Sequence, residues 1–433
     1  MGRAVIAAAA VLVASTVACG GGDEGGTPTL KWYSYEEPSG AFASAAERCS
    51  EASEGRYRIE LALLPNNADE QREQLVRRLA AEDSDIDLMS MDVIWTAEFG
   101  EAEWILPWDE DLAEEVTDGR LEAAVQSATY EDQLFAAPFT SNTQLLWYRE
   151  SLTPEAPTTW EDMIDQAEQL GEDDEPGLIQ VQGQRYEGLV VWFISLLESA
   201  GTSVLNEDGT KVELEPEATK KALQIMADLS NSTAAPSSLA TAREDDGRLA
   251  WESGESAFMV NYTFVWPSAN GNAPDIAEDM RWARYPGVEG AGPSKVTVGG
   301  FNLGVGAYSD HPDLAFEAAS CITQEENQLE AATGGGLLPT SESLYDDPEL
   351  TESTQEVTNA STGETVEVKQ FPYADVLKET LQDAVQRPQT PFYNDVALAI
   401  ARTIHPTEDI DPDKDVERLR DAIEKALKGE GLL

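Results

Sequence analysis

Strand and helix signals alternate from the first folded segment of this chain, and that alternation restricts its architecture more than any other feature. Residues 30–35 read as a strand, 40–50 as a helix, and 57–64 as a strand by alternation of apolar and polar positions. Residues 69–81 follow as a helix with Leu75 and Leu79 on one face and Asn67 or Asp69 as its cap. A short buried strand over 86–91 ends at Asp92. Such βαβ order calls for a parallel sheet covered by helices.

The same grammar resumes further on. Strands are expected over 144–148, 256–261 and 296–305, and helices over 160–170, 188–200, 217–229 and 312–322. The end of the chain reads as helical over 375–386, 393–404 and 415–427, whereas 341–369 is polar and reads as irregular. No internal repeat is present. With 433 residues, 41% of them hydrophobic, the chain can bury two ordinary cores. Two α/β lobes, with the chain crossing between them more than once, fit this pattern best.

The formal net charge is −54, from 82 acidic and 28 basic residues. Nucleic acid and anionic lipid would be repelled by such a surface, so neither is expected as a partner. The acids are scattered and form no Asp-x-Asp-x-Asp-Gly calcium loop, so the excess reads as a solubility device suited to high salt.

The N-terminus carries one positive charge, Arg3, and then an apolar, small-residue run from Val5 to Ala18, too short to span a membrane. Cys19 follows, and then a glycine-rich polar leash to Gly26. Residues 1–18 thus read as a secretory signal, with 19–26 as an anchor and linker. The Ala18-Cys19 junction resembles the lipobox of bacterial lipoproteins, with Thr16 where Leu or Val is usual. That resemblance implies a lipid on Cys19 and a protein tethered outside the cell membrane. The remaining cysteines, Cys49 and Cys321, form an even pair in an exported chain and read as a disulfide; two buried free thiols are the other reading. His311 and His405 are the only histidines and neither lies near a cysteine, so neither a metal site nor a cofactor is expected.

Four local patterns carry a family resemblance. They are Asp87–Asp92 with Trp95, Glu98 and Phe99; Phe135–Phe139 leading into Asn142–Tyr148 and Pro157–Trp160; Trp251–Met259; and Gly299–Val305 with His311-Pro312 and the helix holding Cys321. In this order they resemble the extracellular solute-binding proteins (family 1) of carbohydrate ABC importers. The runs Met91–Phe99, Ser141–Tyr148, Glu187–Phe193 and Lys295–Gly300 are similar to the trehalose-binding lipoproteins of mycobacteria within that family. The resemblance implies a type II periplasmic-binding-protein-like α/β fold, two lobes and a hinge, with a parallel-sheet core in each lobe. One lobe would comprise residues 27–143 and 299–345, the other 144–298 and 346–433. It implies a monomer that closes on a disaccharide, trehalose before maltose or sucrose, and delivers it to a membrane permease.

By the same resemblance Asp92, Asn142, Glu252 and Arg387 would hold sugar hydroxyls, and Gln71, Tyr262 and the turn Gly335-Gly336-Leu337 would line the cleft. Arg387 lies in Gln386-Arg387-Pro388-Gln389-Thr390-Pro391, similar to the family's Arg-Pro-x-Thr-Pro, while Tyr262 stands where Trp is usual. The residue types suit a sugar. Carboxylates accept two hydroxyls, Asn donates and accepts, Arg donates a rigid fork, and an aromatic face covers the C–H surface. Each also has a plain reading: Asp92 as a helix cap, Asn142 as a turn residue, Glu252 as a solvated charge, and Trp192, Trp266 and Tyr262 as core aromatics. Paired acids and aromatics would also serve an extracellular glycosidase. No Gly-x-Ser-x-Gly elbow and no phosphate-binding Gly-x-x-x-x-Gly-Lys loop is present, so a serine hydrolase and an ATPase are excluded.

Overall fold

The computed structural model describes residues 26–358, 363 and 365–430; residues 1–25, where a signal sequence, an anchor at Cys19 and a leash are expected, lie outside the described residues. Strand β1 (Thr29–Tyr35) pairs in parallel with β2 (Arg58–Leu64) on one side and β3 (Leu88–Asp92) on the other. Helices α1 (Ala41–Ala52) and α2 (Ala68–Leu79) make the two crossovers. Asn67 caps α2 by accepting the Glu70 N–H, and the four-residue spacing of Gln71, Leu75 and Leu79 turns those side chains inward.

The chain next adds strand β4 (Ala136–Asn142) to this first sheet and, after Thr143 alone, begins strand β5 (Gln144–Arg149) of a second. Helix α3 (Trp160–Glu172) is capped by Thr159. Strand β6 (Leu178–Gln180) and helix α4 (Glu187–Ala200) follow. Val190, Val191, Trp192 and Phe193 of α4 point to different sides yet are all buried, as expected for a helix apolar all round. Trp192 packs on Trp160 in the core, as its plain reading had it. Helix α5 (Pro216–Asn231), helix α6 (Glu244–Glu252), strand β7 (Ser256–Tyr262) and strand β8 (Met280–Ala283) complete the second sheet, in the order β8-β5-β7-β6.

Strand β9 (Thr297–Val305) carries the chain back into the first sheet, between β3 and β4, and helix α7 (Pro312–Ile322) covers it. Strand β10 (Leu338–Pro339) forms the edge beside β4. The chain then lays Leu344, Tyr345, Phe371, Tyr373 and Leu377 against Trp147 and Met259 of the second sheet. A short strand β11 (Val385–Gln386) runs alongside β9, and helices α8 (Tyr393–Ile404) and α9 (Pro412–Ala426) pack against α4 and α5.

Two expectations are corrected here. The sheets are mixed rather than wholly parallel. In the first, β9 pairs antiparallel with β3 and β4, and β10 with β4, beside the parallel β2-β1-β3 block. In the second, β5 pairs antiparallel with β7 and β8 while β6 and β7 run parallel. The βαβ order holds only until Asp92, because β4 leaves the first sheet for the second and β9 returns from the second to the first without a covering helix between parallel neighbours. The polar stretch 341–369 is also not irregular. Thr354–Thr358 pairs with Thr365–Lys369 as a hairpin, a period of two carried by Thr and Val and masked by the glutamates between them.

Cys49 of α1 and Cys321 of α7 form a disulfide with Cα atoms 5.8 Å apart, 272 residues apart in sequence. It ties two helices on the same side of the first sheet and limits the unfolded chain. Reduction, or Cys49→Ser with Cys321→Ser, is expected to lower unfolding free energy by about 2–4 kcal/mol. Urea melts with and without reductant would show it, and an unmoved midpoint would refute it.

Candidate functional site

Where the two sheets meet, strand register gathers a set of polar groups. Gly299 of β9 lies opposite Asn142 of β4, and Val298 lies opposite Gln386 of β11. Arg387 therefore enters beside Gly299. Glycine is required there: a Cβ on Gly299 would fall 2.4 Å from Asn142 Oδ1 and 3.2 Å from the Arg387 guanidinium. The next residue, Gly300, has φ +133° and would bring a Cβ within 2.1 Å of the Thr140 carbonyl. The Gly-Gly pair thus lets two polar side chains and two backbones converge.

Arg387 is 5% exposed and bridges two carboxylates, donating to Asp92 Oδ1 and to Glu187 Oε1 at 2.8 Å each. Asp92 ends β3 and also accepts the Ile94 N–H through Oδ1, so its cap role is real as well. Glu187 is the first residue of α4, where the helix dipole favours a carboxylate, and accepts the Tyr393 hydroxyl at 2.5 Å. Among the described residues Asp92 Oδ2 and the Asn142 amide have no hydrogen-bond partner, and neither does the buried Arg387 Nε.

Burial dominates the electrostatics of this cluster. It pushes the Glu187 carboxyl up to about 7, with Asp92 adding to the rise while Arg387 and Tyr393 oppose it. Arg387 stays charged, because Asp92 and Glu187 together outweigh its own desolvation. Two carboxylates share one guanidinium, so one negative charge is left over, and Glu187, the more deeply buried of the two, takes the consequence.

Tyr262 ends β7 opposite Gln144, and its hydroxyl is raised by burial first and then by Glu244, with Asp92 and Glu187 adding and Arg387 opposing. Glu244 opens α6, and burial raises it as well, against the pull of the neighbouring Tyr186 hydroxyl. Gly336 ends its helix in the left-handed conformation at φ 69°, and its carbonyl accepts the Thr263 hydroxyl, which brings the Gly335-Gly336-Leu337 turn against the residue after Tyr262. Gln71 is buried on the inward face of α2.

Asp92, Asn142, Arg387 and Tyr262 are thus brought together, and Gln71 and the glycine turn lie on elements that border them. Glu252 is not in this group. Its oxygens take Arg248, Ser268 and Asn272, on the far end of α6. Glu244 and Glu252 begin and end one helix, about 12 Å apart at 1.5 Å per residue, and it is Glu244 that faces Tyr262. Sequence reasoning missed Glu187, Tyr393, Tyr186 and Glu244. Glu187 left a signal: an acid opening a wholly apolar helix has to be buried with it. Glu244 left none, being one of three consecutive acids.

A titration follows from the raised Glu187 carboxyl. The folded form keeps this proton from about pH 4.5 to about 7, where the unfolded chain has lost it, so its contribution favours folding at low pH and fades as pH rises through that window. Glu187→Gln removes the dependence. The stability of the variant relative to wild type should rise by on the order of 2–3 kcal/mol between pH 4.5 and 7, read from urea melts without ligand. A difference that stays flat with pH would refute it.

Comparison with known proteins identifies the family and the fold. The family model described as bacterial extracellular solute-binding protein matches residues 59–329, more than half of the chain. A probable ABC transporter-binding protein of Deinococcus radiodurans is 26% identical over 360 residues, covering 80% of this chain and 81% of that one. Maltose-bound MalE3 of T. maritima superposes with a TM-score of 0.81 at 26% identity, over 92% of this chain and 99% of that one. The GacH receptor of Streptomyces glaucescens, solved unliganded and with acarbose, gives 0.77 at 21% identity, over 94% and 100%. The two-lobed type II fold is therefore shared. This chain belongs to the bacterial extracellular solute-binding protein family, and is a binding protein rather than an enzyme.

Proposed function

We propose that this chain is the receptor of an ABC importer that captures a disaccharide, trehalose before maltose, between lobes formed by residues 27–143 with 299–345 and 144–298 with 346–433. The observation that carries this reading is the set of unspent polar atoms around Arg387. Asp92 and Glu187 each give one oxygen to the guanidinium, which leaves Asp92 Oδ2, the Asn142 amide and Arg387 Nε to meet vicinal hydroxyls. Tyr262 supplies an aromatic face beside them, and Glu244 a further acceptor. Gln71 and the Gly335-Gly336-Leu337 turn complete the walls. Glu252 is set aside in favour of Glu244.

The relatives support the class of ligand: maltose for the T. maritima protein and acarbose for the Streptomyces receptor. The name of the Deinococcus relative supports the transporter partner. Trehalose rests on the similarity of Met91–Phe99 and Ser141–Tyr148 to trehalose-binding lipoproteins. Cys19 would carry the lipid that holds the receptor at the outer face of the membrane. Arg387 bonds a carboxylate from the first sheet and one from α4 in the second lobe, so it senses whether the lobes are together.

Calorimetric titration of residues 27–433 with trehalose and maltose tests the reading. Heat with trehalose is expected, and silence with both sugars would refute trehalose and maltose as its solutes. Asp92→Ala, Asn142→Ala and Arg387→Ala should each leave a buried partner unpaired, costing about 1–3 kcal/mol, roughly 5- to 150-fold in Kd. Glu252→Ala should bind like wild type.

A further inference from the structure

A cavity of about 220 Å³ opens beside the Arg387 cluster, and no role assigned so far uses it. Its wall includes Arg185, Tyr186 and Glu187 at the start of α4, Asn394 and Arg402 on α8, and Asp69 at the start of α2. Asp69, Glu187 and Asn394 also line the narrow space of about 10 Å³ next to Trp95 and Tyr393, so the two spaces adjoin at Glu187, whose carboxylate accepts from Arg387. It is smaller than the roughly 300–1,000 Å³ of a whole ligand pocket, which suits one ring or its substituent rather than the entire solute.

The charge of this wall departs from the rest of the molecule. Most arginines here are ion-paired, as 82 acids against 28 basic residues would lead one to expect. Arg185 and Arg402 are exposed, and among the described residues neither guanidinium has an ion pair or a hydrogen bond. Two free forks therefore face one cavity, opposed by the carboxyls of Asp69 and Glu187 on the same wall, both of which burial raises, and the first turn of the 14-residue α4 adds its positive end.

We infer that this cavity is an anion subsite of the sugar cleft: it takes an acidic substituent, such as a phosphate, on the outer ring of the bound sugar, held by Arg185 and Arg402. The inference rests on the sugar-receptor reading and narrows it to a solute that combines hydroxyls with one anionic group. A chain of net charge −54 repels anions at long range, so such a ligand needs local cations at the cleft, and these two arginines are placed to supply them.

Four titrants test it against the wild type and the double variant R185Q/R402Q at 0.15 M salt: trehalose, trehalose 6-phosphate, maltose and maltose 6′-phosphate. For at least one pair the phosphorylated sugar is expected to bind wild type at least as tightly as its parent. The double variant should lose about tenfold or more for that form while holding the neutral sugar within twofold, and the loss should shrink as salt rises. Equal binding of the phosphorylated sugar to both proteins would overturn the subsite and leave the sugar receptor standing. So would its rejection by wild type that binds the parent, or an equal loss of both forms in the variant. Silence with all four sugars would overturn both readings together.

Discussion

The site depends on one buried guanidinium held between two carboxylates from different parts of the chain. Removing three charges from water costs several kcal/mol per ion before any of it is recovered by pairing. Arg387 stays charged between the two carboxylates, and Glu187 is left with its carboxyl raised to about 7. The imbalance is useful in a receptor. A neutral sugar brings hydroxyl donors and no charge, and donors stabilise a carboxylate that has lost part of its solvation. The surplus acid is therefore a place where a polyol adds stability that an apolar ligand cannot.

The same accounting applies at the surface with a different result. Arg72–Glu98, Arg149–Asp279 and Arg284–Asp383 are partly buried and take a share of the acids, but among the described residues most carboxylates have no ion-pair partner. Their mutual repulsion loosens the compact state at low salt and is screened beyond about 10 Å at 0.1 M. The interior charges are screened much less. Salt will therefore act on the envelope of this molecule and leave the Arg387 cluster largely as it is.

How much of this was legible in the sequence depends on the reach of the interaction that decides each feature. The cap at Asn67, the heptad-like spacing of Leu75 and Leu79, and the apolar run of α4 are local, and each element forms where its spacing places it. The antiparallel pairings were hidden because strand direction is set by where the chain crosses between lobes, which no window of residues records. The hairpin within 354–369 was hidden by glutamates at its exposed positions. In the site, Asp92, Asn142 and Arg387 were legible through motif resemblance, and the structure joins them through bonds and register that span nearly 300 residues. The choice between Glu244 and Glu252 was not legible. Both lie on one helix, and only the packing of that helix against β7 decides which end faces Tyr262.

The position of the site follows from strand register more than from any single side chain. Between Asn142 and Gln144 the chain passes from one sheet to the other with one residue in between. Asn142 is opposite Gly299, Gln144 is opposite Tyr262, and Val298 is opposite Gln386, the residue before Arg387. Three crossings of the chain thus lie in one row, and each brings a polar or aromatic side chain to it. Asp92 at the end of β3 and Glu187 at the start of α4 come to this row from different parts of the chain, and Arg387 bonds both. The site is therefore fixed twice, by backbone register along the row and by one guanidinium that ties the first sheet to α4 across it.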